Sequence, residues 1–288
     1  MKIYSSIGDT RDACRHYRAK GKQLGLVPTM GALHEGHLSL VRAAKERCDA
    51  VAVSIFVNPT QFGPNEDLEK YPRQFERDCE LLEKEKVDIL FVPSVGEMYP
   101  AGSTTWVTVE GLSDKLDGRS RPDHFRGVTT VVAKLLHIVE PDVAFFGQKD
   151  AAQLAIIRRM VRDLNFPVAI LACPIVREPD GLAMSSRNAY LNADERKRAL
   201  VLRRSLQRVE AELSRGEKDA ARLIAHATRV VAQEGQVRLD YFEIVDPNTL
   251  DPVERVEKAT LVAVAAFVGN TRLIDNLLID PAKLLSPE

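Results

Sequence analysis

Leu24-Gly-Leu-Val-Pro-Thr-Met-Gly-Ala-Leu-His-Glu-Gly-His-Leu-Ser-Leu-Val41 is the stretch on which the reading of this chain turns. An apolar run (Leu24, Leu26, Val27) stops at Pro28 and a glycine-bearing turn follows. From Glu35 the apolar positions Leu38, Val41 and Ala44 recur at helical spacing. Strand, tight turn and helix make the opening half of a βαβ unit. His34 and His37 sit at the junction with Gly36 between them, an i, i+3 pair projecting to one side of a helix start. The same place collects unpaired backbone N–H groups and the positive end of the helix dipole, both favourable to an anion. Gly31 and Gly36 lack a Cβ, so a flat or charged ligand can come close to the backbone. An isolated His-x-x-His is more often ornament than site, and zinc would need three or four ligands with no Cys or Asp cluster to supply them. Position after a strand, with glycines on both sides, instead predicts a phosphate site with two imidazoles as donors.

Outward from this stretch, strands and helices alternate. Thr10 to Lys20 reads as an amphipathic helix, and Ala50-Val-Ala-Val-Ser-Ile-Phe-Val57 as a parallel strand buried on both faces. It ends in Asn58-Pro-Thr-Gln-Phe-Gly-Pro-Asn65, a loop of turn residues at a strand's carboxyl end, where open α/β sheets bind ligands. Asn58 and Gln61 are candidate substrate contacts there, although Asn58 serves equally as a turn former. Leu68 to Lys86 predicts a helix with Tyr71, Phe75, Cys79 and Leu82 inward, and Asp88 to Val92 another strand. Thr104 to Val109 is expected as an edge or hairpin strand, with Trp106 packed. Gly118-Arg-Ser-Arg-Pro-Asp-His-Phe-Arg-Gly127 places three arginines and a histidine before the apolar helix Val128 to Val139. Strand Asp142 to Phe146 runs into Gly147-Gln-Lys-Asp150 and a helix whose first turn is expected to hold Lys149 and Gln153. After the strand Pro167 to Val176, the turn Arg177-Glu-Pro-Asp-Gly181 marks a domain boundary. Leu182-Ala-Met-Ser-Ser-Arg-Asn188 then offers hydroxyls and an arginine able to wrap phosphates. Residues 193–215 and 218–235 read as two charged helices. Leu239 to Val245, Thr260 to Val268 and Arg272 to Ile279 read as strands of a small α+β domain. The expected fold is therefore α/β: a Rossmann-like doubly wound parallel sheet over residues 1–176 and a smaller C-terminal α+β domain over 177–288 that closes on the nucleotide.

Composition narrows the function. The chain has 288 residues, 45% hydrophobic and 28% charged, which suits one large or two ordinary globular domains. A net charge of −1 gives no global attraction to nucleic acid or anionic lipid, so an anionic substrate needs local positive charge. No apolar run is long enough for a membrane span and the N-terminus has no signal-peptide core. Cys14, Cys48, Cys79 and Cys173 are scattered, as reduced thiols of a cytoplasmic protein would be.

His-x-Gly-His after a strand resembles the signature of the class I nucleotidyltransferases. With Pro28-Thr-Met-Gly-Ala-Leu-His-Glu-Gly-His37, Val57-Asn-Pro-Thr-Gln-Phe62, Arg121-Pro-Asp-His-Phe-Arg-Gly127, Phe146-Gly-Gln-Lys-Asp150 and Met184-Ser-Ser-Arg-Asn188 in order, the chain resembles the pantothenate synthetase (pantoate–β-alanine ligase) family from about residue 24 to residue 279. The resemblance implies an ATP- and Mg²⁺-dependent ligase that makes pantoyl adenylate and pyrophosphate, then pantothenate and AMP, as a homodimer. It implies His37, His34 and Lys149 as catalytic residues. The ATP site would be Met30, Gly31, Ala32, Leu33, His34, Glu35, Gly36 and His37 with Gly147, Gln148, Lys149, Asp150, Val176, Met184, Ser185, Ser186 and Arg187. It gives Gln61 and Gln153 to pantoate and Gln61 also to β-alanine, and leaves the metal ligands and the roles of Arg121 and His124 unassigned. Ala151, Ala152 and Asp123 depart from the family's usual residues without touching those positions. Two other functions compete: a His-x-Gly-His enzyme that adenylates a phosphate ester, and a nucleotide-binding protein without catalysis.

Overall fold

The computed structural model describes residues 1–64 and 66–280. In chain order the elements are β1 (Lys2–Tyr4), α1 (Ile7–Arg18), β2 (Leu24–Thr29), α2 (Glu35–Arg47), β3 (Ala50–Ile55), α3 (Phe75–Lys84), β4 (Ile89–Phe91), α4 (Val95–Met98), α5 (Asp117–Ser120), α6 (His124–Val139), β5 (Val143–Gly147), α7 (Ala151–Asp163) and β6 (Ala169–Cys173). Then come α8 (Ala193–Ala199), α9 (Val201–Ser214), α10 (Ala220–Ala232), β7 (Val237–Val245), β8 (Thr260–Val268) and β9 (Thr271–Ile279). Two compact units result. One takes Met1–Asp114, Arg121–Gln148 and Ile156–Pro174; the other takes Lys115–Ser120, Lys149–Ala155 and the chain from Ile175.

The first unit is built on a six-stranded parallel sheet in the order β1-β4-β3-β2-β5-β6. All six residues of β3 are buried, as a parallel strand covered on both faces requires. Val27, Val41, Val53, Leu82, Leu90 and Phe145 share one core with Cys48 and Cys173. The order reverses between β2 and β5, which makes their carboxyl ends the switch point of the sheet. Pro28 lies inside β2 and not at its end. Leu24 O accepts the Asp142 N–H on the β5 side, and Thr29 O accepts the Phe56 N–H beyond β3. Alternation then turns Pro28 toward β5, whose pairing with β2 stops at Leu26, so its missing N–H costs no ladder bond.

The second unit carries the antiparallel sheet β7-β8-β9. Leu202, Leu206 and Val209 of α9, Leu223 and Ala227 of α10, and Val262, Val264 and Ala266 of β8 form its core. The residues read as one helix over 193–215 are α8 and α9, separated at Leu200.

Several expectations need correction. Residues 104–109 form no strand. Val107 is instead held by α6, its N–H donating to Thr130 Oγ1 at 3.0 Å and its carbonyl accepting from Thr129 Oγ1 at 2.6 Å. Two threonine hydroxyls thus take the place of a strand partner. Trp106 is 40% exposed under the Arg126 guanidinium, 4.3 Å from the ring centroid, a cation–π contact in place of core packing. α3 starts at Phe75, which is exposed, and it buries Asp78 beside Leu82.

Candidate active site

The turn between β2 and α2 is shaped by two successive left-handed residues, Gly31 (φ 78°) and Ala32 (φ 49°). A Cβ on Gly31 would lie 3.0 Å from Asp78 Oδ2 and 3.1 Å from Ile55 Cγ2, so this position needs glycine for space and for conformation. The turn aims the Ala32 and Leu33 N–H groups at Asp78, whose Oδ2 and Oδ1 accept them at 2.8 Å each. Burial pushes the Asp78 carboxyl up, against the opposing pull of those two N–H bonds. Gly31 N–H goes to Thr29 Oγ1. His34 is the N-cap of α2: its Nδ1 accepts the Gly36 N–H at 3.1 Å, while His37 Nδ1 accepts the His34 N–H at 3.4 Å. The N–H groups of Gly31, Ala32, Leu33, His34 and Gly36, among those expected to receive an anion, are therefore directed to Thr29, Asp78 and the two imidazoles. A carboxylate and two ring nitrogens already lie in reach of a strained turn, which explains the difference.

That inward use defines the rings. A neutral imidazole that accepts at Nδ1 carries its proton at Nε2. His34 and His37, with ring centroids 4.1 Å apart, are thus a pair of Nε2–H donors at the helix start.

The loop after β3 adds Gln61. Asn58, 1% exposed, accepts from Thr60 and from the Tyr99 hydroxyl, and it donates to Gln61 Oε1 at 3.1 Å and to Gly127 O at 3.1 Å. Those bonds occupy its amide, so Asn58 shapes the turn. Gln61 Nε2 points at Met30 Sδ, 3.2 Å away, which brings the expected pantoate reader to the histidine turn. Its carbonyl accepts from His124 Nδ1 at 2.8 Å, and Arg121 Nη1 donates to His124 Nε2 at 2.9 Å. Arg121 in turn is paired with Glu66 at 2.6 and 2.7 Å. Arg121 and His124 of the basic loop therefore brace Gln61. Gly127 permits the arrangement, since a Cβ there would sit 2.3 Å from Thr60 O. At the switch point, Gly147 ends β5 and the Gln148 N–H donates to Cys173 O.

The other expected residues lie in the second unit. Lys149 precedes α7, which begins at Ala151, so only Gln153 stands in its first turn. Lys149 Nζ makes a long contact with Asp150 Oδ1, 3.5 Å. Val176 O accepts the Met184 N–H, Leu182 O accepts from Glu178, and Gly181 (φ 94°) turns the chain between them. The boundary loop is thus a tight hairpin leading into a 3₁₀ turn, Ser186–Tyr190, with Ser185 as its cap.

Asp78, Glu66 and Tyr99 escaped the sequence reading. Only the i, i+3 to i, i+4 apolar spacing around Asp78 hinted that this acid falls on the inner face of α3. No helix among the described residues is long and apolar enough to cross a membrane.

A family model described as pantoate-beta-alanine ligase matches residues 2–278. The chain is 65% identical over 290 residues to a protein of Acidobacterium capsulatum named pantothenate synthetase, covering 97% of each. Its fold superposes on the crystal structure of pantothenate synthetase from Thermus thermophilus with a TM-score of 0.92 at 45% identity, covering 96% of this chain and 99% of that one. A pantoate-beta-alanine ligase from Francisella tularensis, complexed with beta-gamma ATP and beta-alanine, matches with a TM-score of 0.77 at 34% identity, covering 98% and 99%.

Proposed function

The chain belongs to the pantoate-beta-alanine ligase family, and on that premise we propose how its residues divide the work of joining pantoate to β-alanine with ATP. The pantoate carboxylate attacks the α-phosphorus and pyrophosphate leaves. The amine of β-alanine then attacks the acyl carbon of pantoyl adenylate, and AMP leaves with the formation of pantothenate. Such chemistry needs positioning and neutralised charge more than a covalent helper.

His37, with His34 beside it, donates through Nε2–H to the departing pyrophosphate. The observation that carries this assignment is the commitment of both Nδ1 atoms as acceptors of backbone N–H groups. Met30 to His37, Gly147 to Asp150, Val176 and Met184 to Arg187 hold ATP, with Lys149 on the phosphates. Gln61 and Gln153 hold pantoate, and Gln61 also meets β-alanine; the bracing of Gln61 on both backbone and side chain supports that role. Among the described residues no three His, Cys, Asp or Glu side chains come together as a metal cage. Mg²⁺, an ion that keeps oxygen ligands, would supply neutralising charge to the nucleotide phosphates.

We also propose that segment 177–188 orders around the nucleotide within a C-terminal domain running from residue 177, that the enzyme works as a homodimer, and that it works in the cytoplasm with its cysteines as thiols. The homodimer rests on family membership. Sedimentation showing a monomer at micromolar concentration would remove it, as hydrogen exchange unchanged by ATP over 177–188 would remove the ordering. The central test is pyrophosphate release from ATP, Mg²⁺ and pantoate without β-alanine. It should occur in the absence of the amine, and AMP should appear only when β-alanine is added. Strict dependence of pyrophosphate on β-alanine would eliminate the adenylate.

A further inference from the structure

β9 carries two adjacent polar residues, Asp275 and Asn276, each 3% exposed. They lie in register with Val264 and Ala263 of the apolar strand β8. Burying a carboxylate and a carboxamide there is costly unless each finds good partners. Both do, and the partners are specific. Asp275 takes the Arg177 guanidinium end-on, Nη1 to Oδ2 at 2.7 Å and Nη2 to Oδ1 at 2.9 Å. Arg177 Nη1 also donates to Gly181 O at 3.1 Å, inside the hairpin. Asn276 Nδ2 donates to the carbonyl of Lys149 at 2.8 Å, and the Asn276 N–H donates to Asp275 Oδ1 at 2.8 Å. Two consecutive positions of one strand thus hold two segments far apart in sequence. One is the turn bearing Lys149; the other is the hairpin that leads into Met184 to Arg187.

A buried ion pair is weak support for stability, since apolar residues of similar volume would cover a sheet without the desolvation cost. What the pair supplies is geometry. A backbone carbonyl fixed by an amide donor sets where Lys149 starts, and a bidentate guanidinium sets the direction of the hairpin.

We propose that Asp275 and Asn276 are positioning residues for adenylate formation: Asn276 places the Lys149 turn, and Asp275, through Arg177, places the hairpin carrying Met184 to Arg187. The two sets of phosphate-binding groups in this unit are thereby referred to one strand. The inference rests on the phosphate-binding reading of those residues given above.

The test separates the two half-reactions. Asn276→Ala removes the side-chain donor to the Lys149 carbonyl. It should lower kcat/KM for ATP in pyrophosphate release about tenfold, equivalent to about 1.4 kcal/mol. Conversion of supplied pantoyl adenylate by β-alanine should stay within about twofold. Asp275→Asn should show the same split. In a Lys149→Ala background, Asn276→Ala should add no more than about a further twofold, because it acts through that turn. Near-ultraviolet circular dichroism establishes that each variant is folded. Asn276→Ser, whose hydroxyl is too short to reach the carbonyl, is judged by the same criteria should the alanine variant fail to fold. Equal losses in both half-reactions, or an undiminished Asn276→Ala effect on the Lys149→Ala background, would overturn the proposal as a mere stability effect. Wild-type pyrophosphate release by Lys149→Ala alone would instead defeat the phosphate-binding reading, and the inference with it.

Discussion

Asp78 Oδ1 accepts the Leu33 N–H at 2.8 Å, joining two residues 45 positions apart. With the matching bond from Ala32 to Oδ2, one buried carboxylate of α3 holds the left-handed turn that precedes His34. The histidine pair is thus set from outside its own loop.

Asp78→Ala should show how much depends on that bond. Two buried N–H groups would lose their carboxylate acceptor, each at a cost of about 1–3 kcal/mol. The thermal midpoint should fall, and pyrophosphate release from ATP and pantoate should slow more than the β-alanine step. Calorimetry and a coupled pyrophosphate assay measure both, and wild-type values in each would dismiss Asp78 from this role.

Gly127→Ala tests the seat of Gln61. Its new Cβ would approach Thr60 O to 2.3 Å and Gln61 Cα to 2.7 Å, so the backbone of the Pro59–Gln61 turn must shift. Overpacking of this kind costs about 1–3 kcal/mol. KM for pantoate should rise while that for ATP changes little. An unaltered pantoate KM in a folded variant would contradict the assignment of Gln61.

His37→Ala should slow adenylate formation by about 10²–10⁴-fold, the usual contribution of a positioned acid. That corresponds to about 3–5 kcal/mol of transition-state stabilisation. Starting from supplied pantoyl adenylate, the loss should be smaller, because no pyrophosphate departs. Single-turnover rates equal to wild type in the first step would remove His37 from the mechanism.

The Glu66–Arg121 brace predicts a pH dependence of stability. Burial pushes the Glu66 carboxyl up, but the Arg121 hydrogen bonds and charge, with help from the Gly63 N–H and from His124, hold it below its ordinary 4.5. A carboxyl depressed on folding contributes stability that is complete above its unfolded value and is lost as pH falls through the lower folded value. Denaturation midpoints of wild type should therefore drop below pH 4.5 more steeply than those of Glu66→Gln. Parallel curves for the two proteins would show that the brace contributes nothing to this limb.

By itself the sequence determined the βαβ alternation, the switch from turn to helix at Glu35 and the five motifs that carry the family. All three are local: periodicity, β-branched runs and glycine- or proline-marked turns express themselves within a dozen residues of chain. The strands of both sheets other than β1 were legible for the same reason, apart from one to three residues at their ends; the three residues Lys2–Tyr4 are too few to show a period. The tertiary structure decided what those motifs bond to. Asn58 reads equally as a substrate amide or a turn former until Tyr99, Thr60 and Gly127 occupy it, and residues 104–109 read as a strand until two threonines of α6 take the place of a strand partner. Asp78, Glu66, Asp275 and Asn276 look like ordinary polar residues in the sequence, because a hydrogen bond between distant segments leaves no periodic trace in either one. Burial is what gives such residues their meaning. A charge or amide withdrawn from water must find partners in the fold, and which partners it finds is a property of how the elements meet.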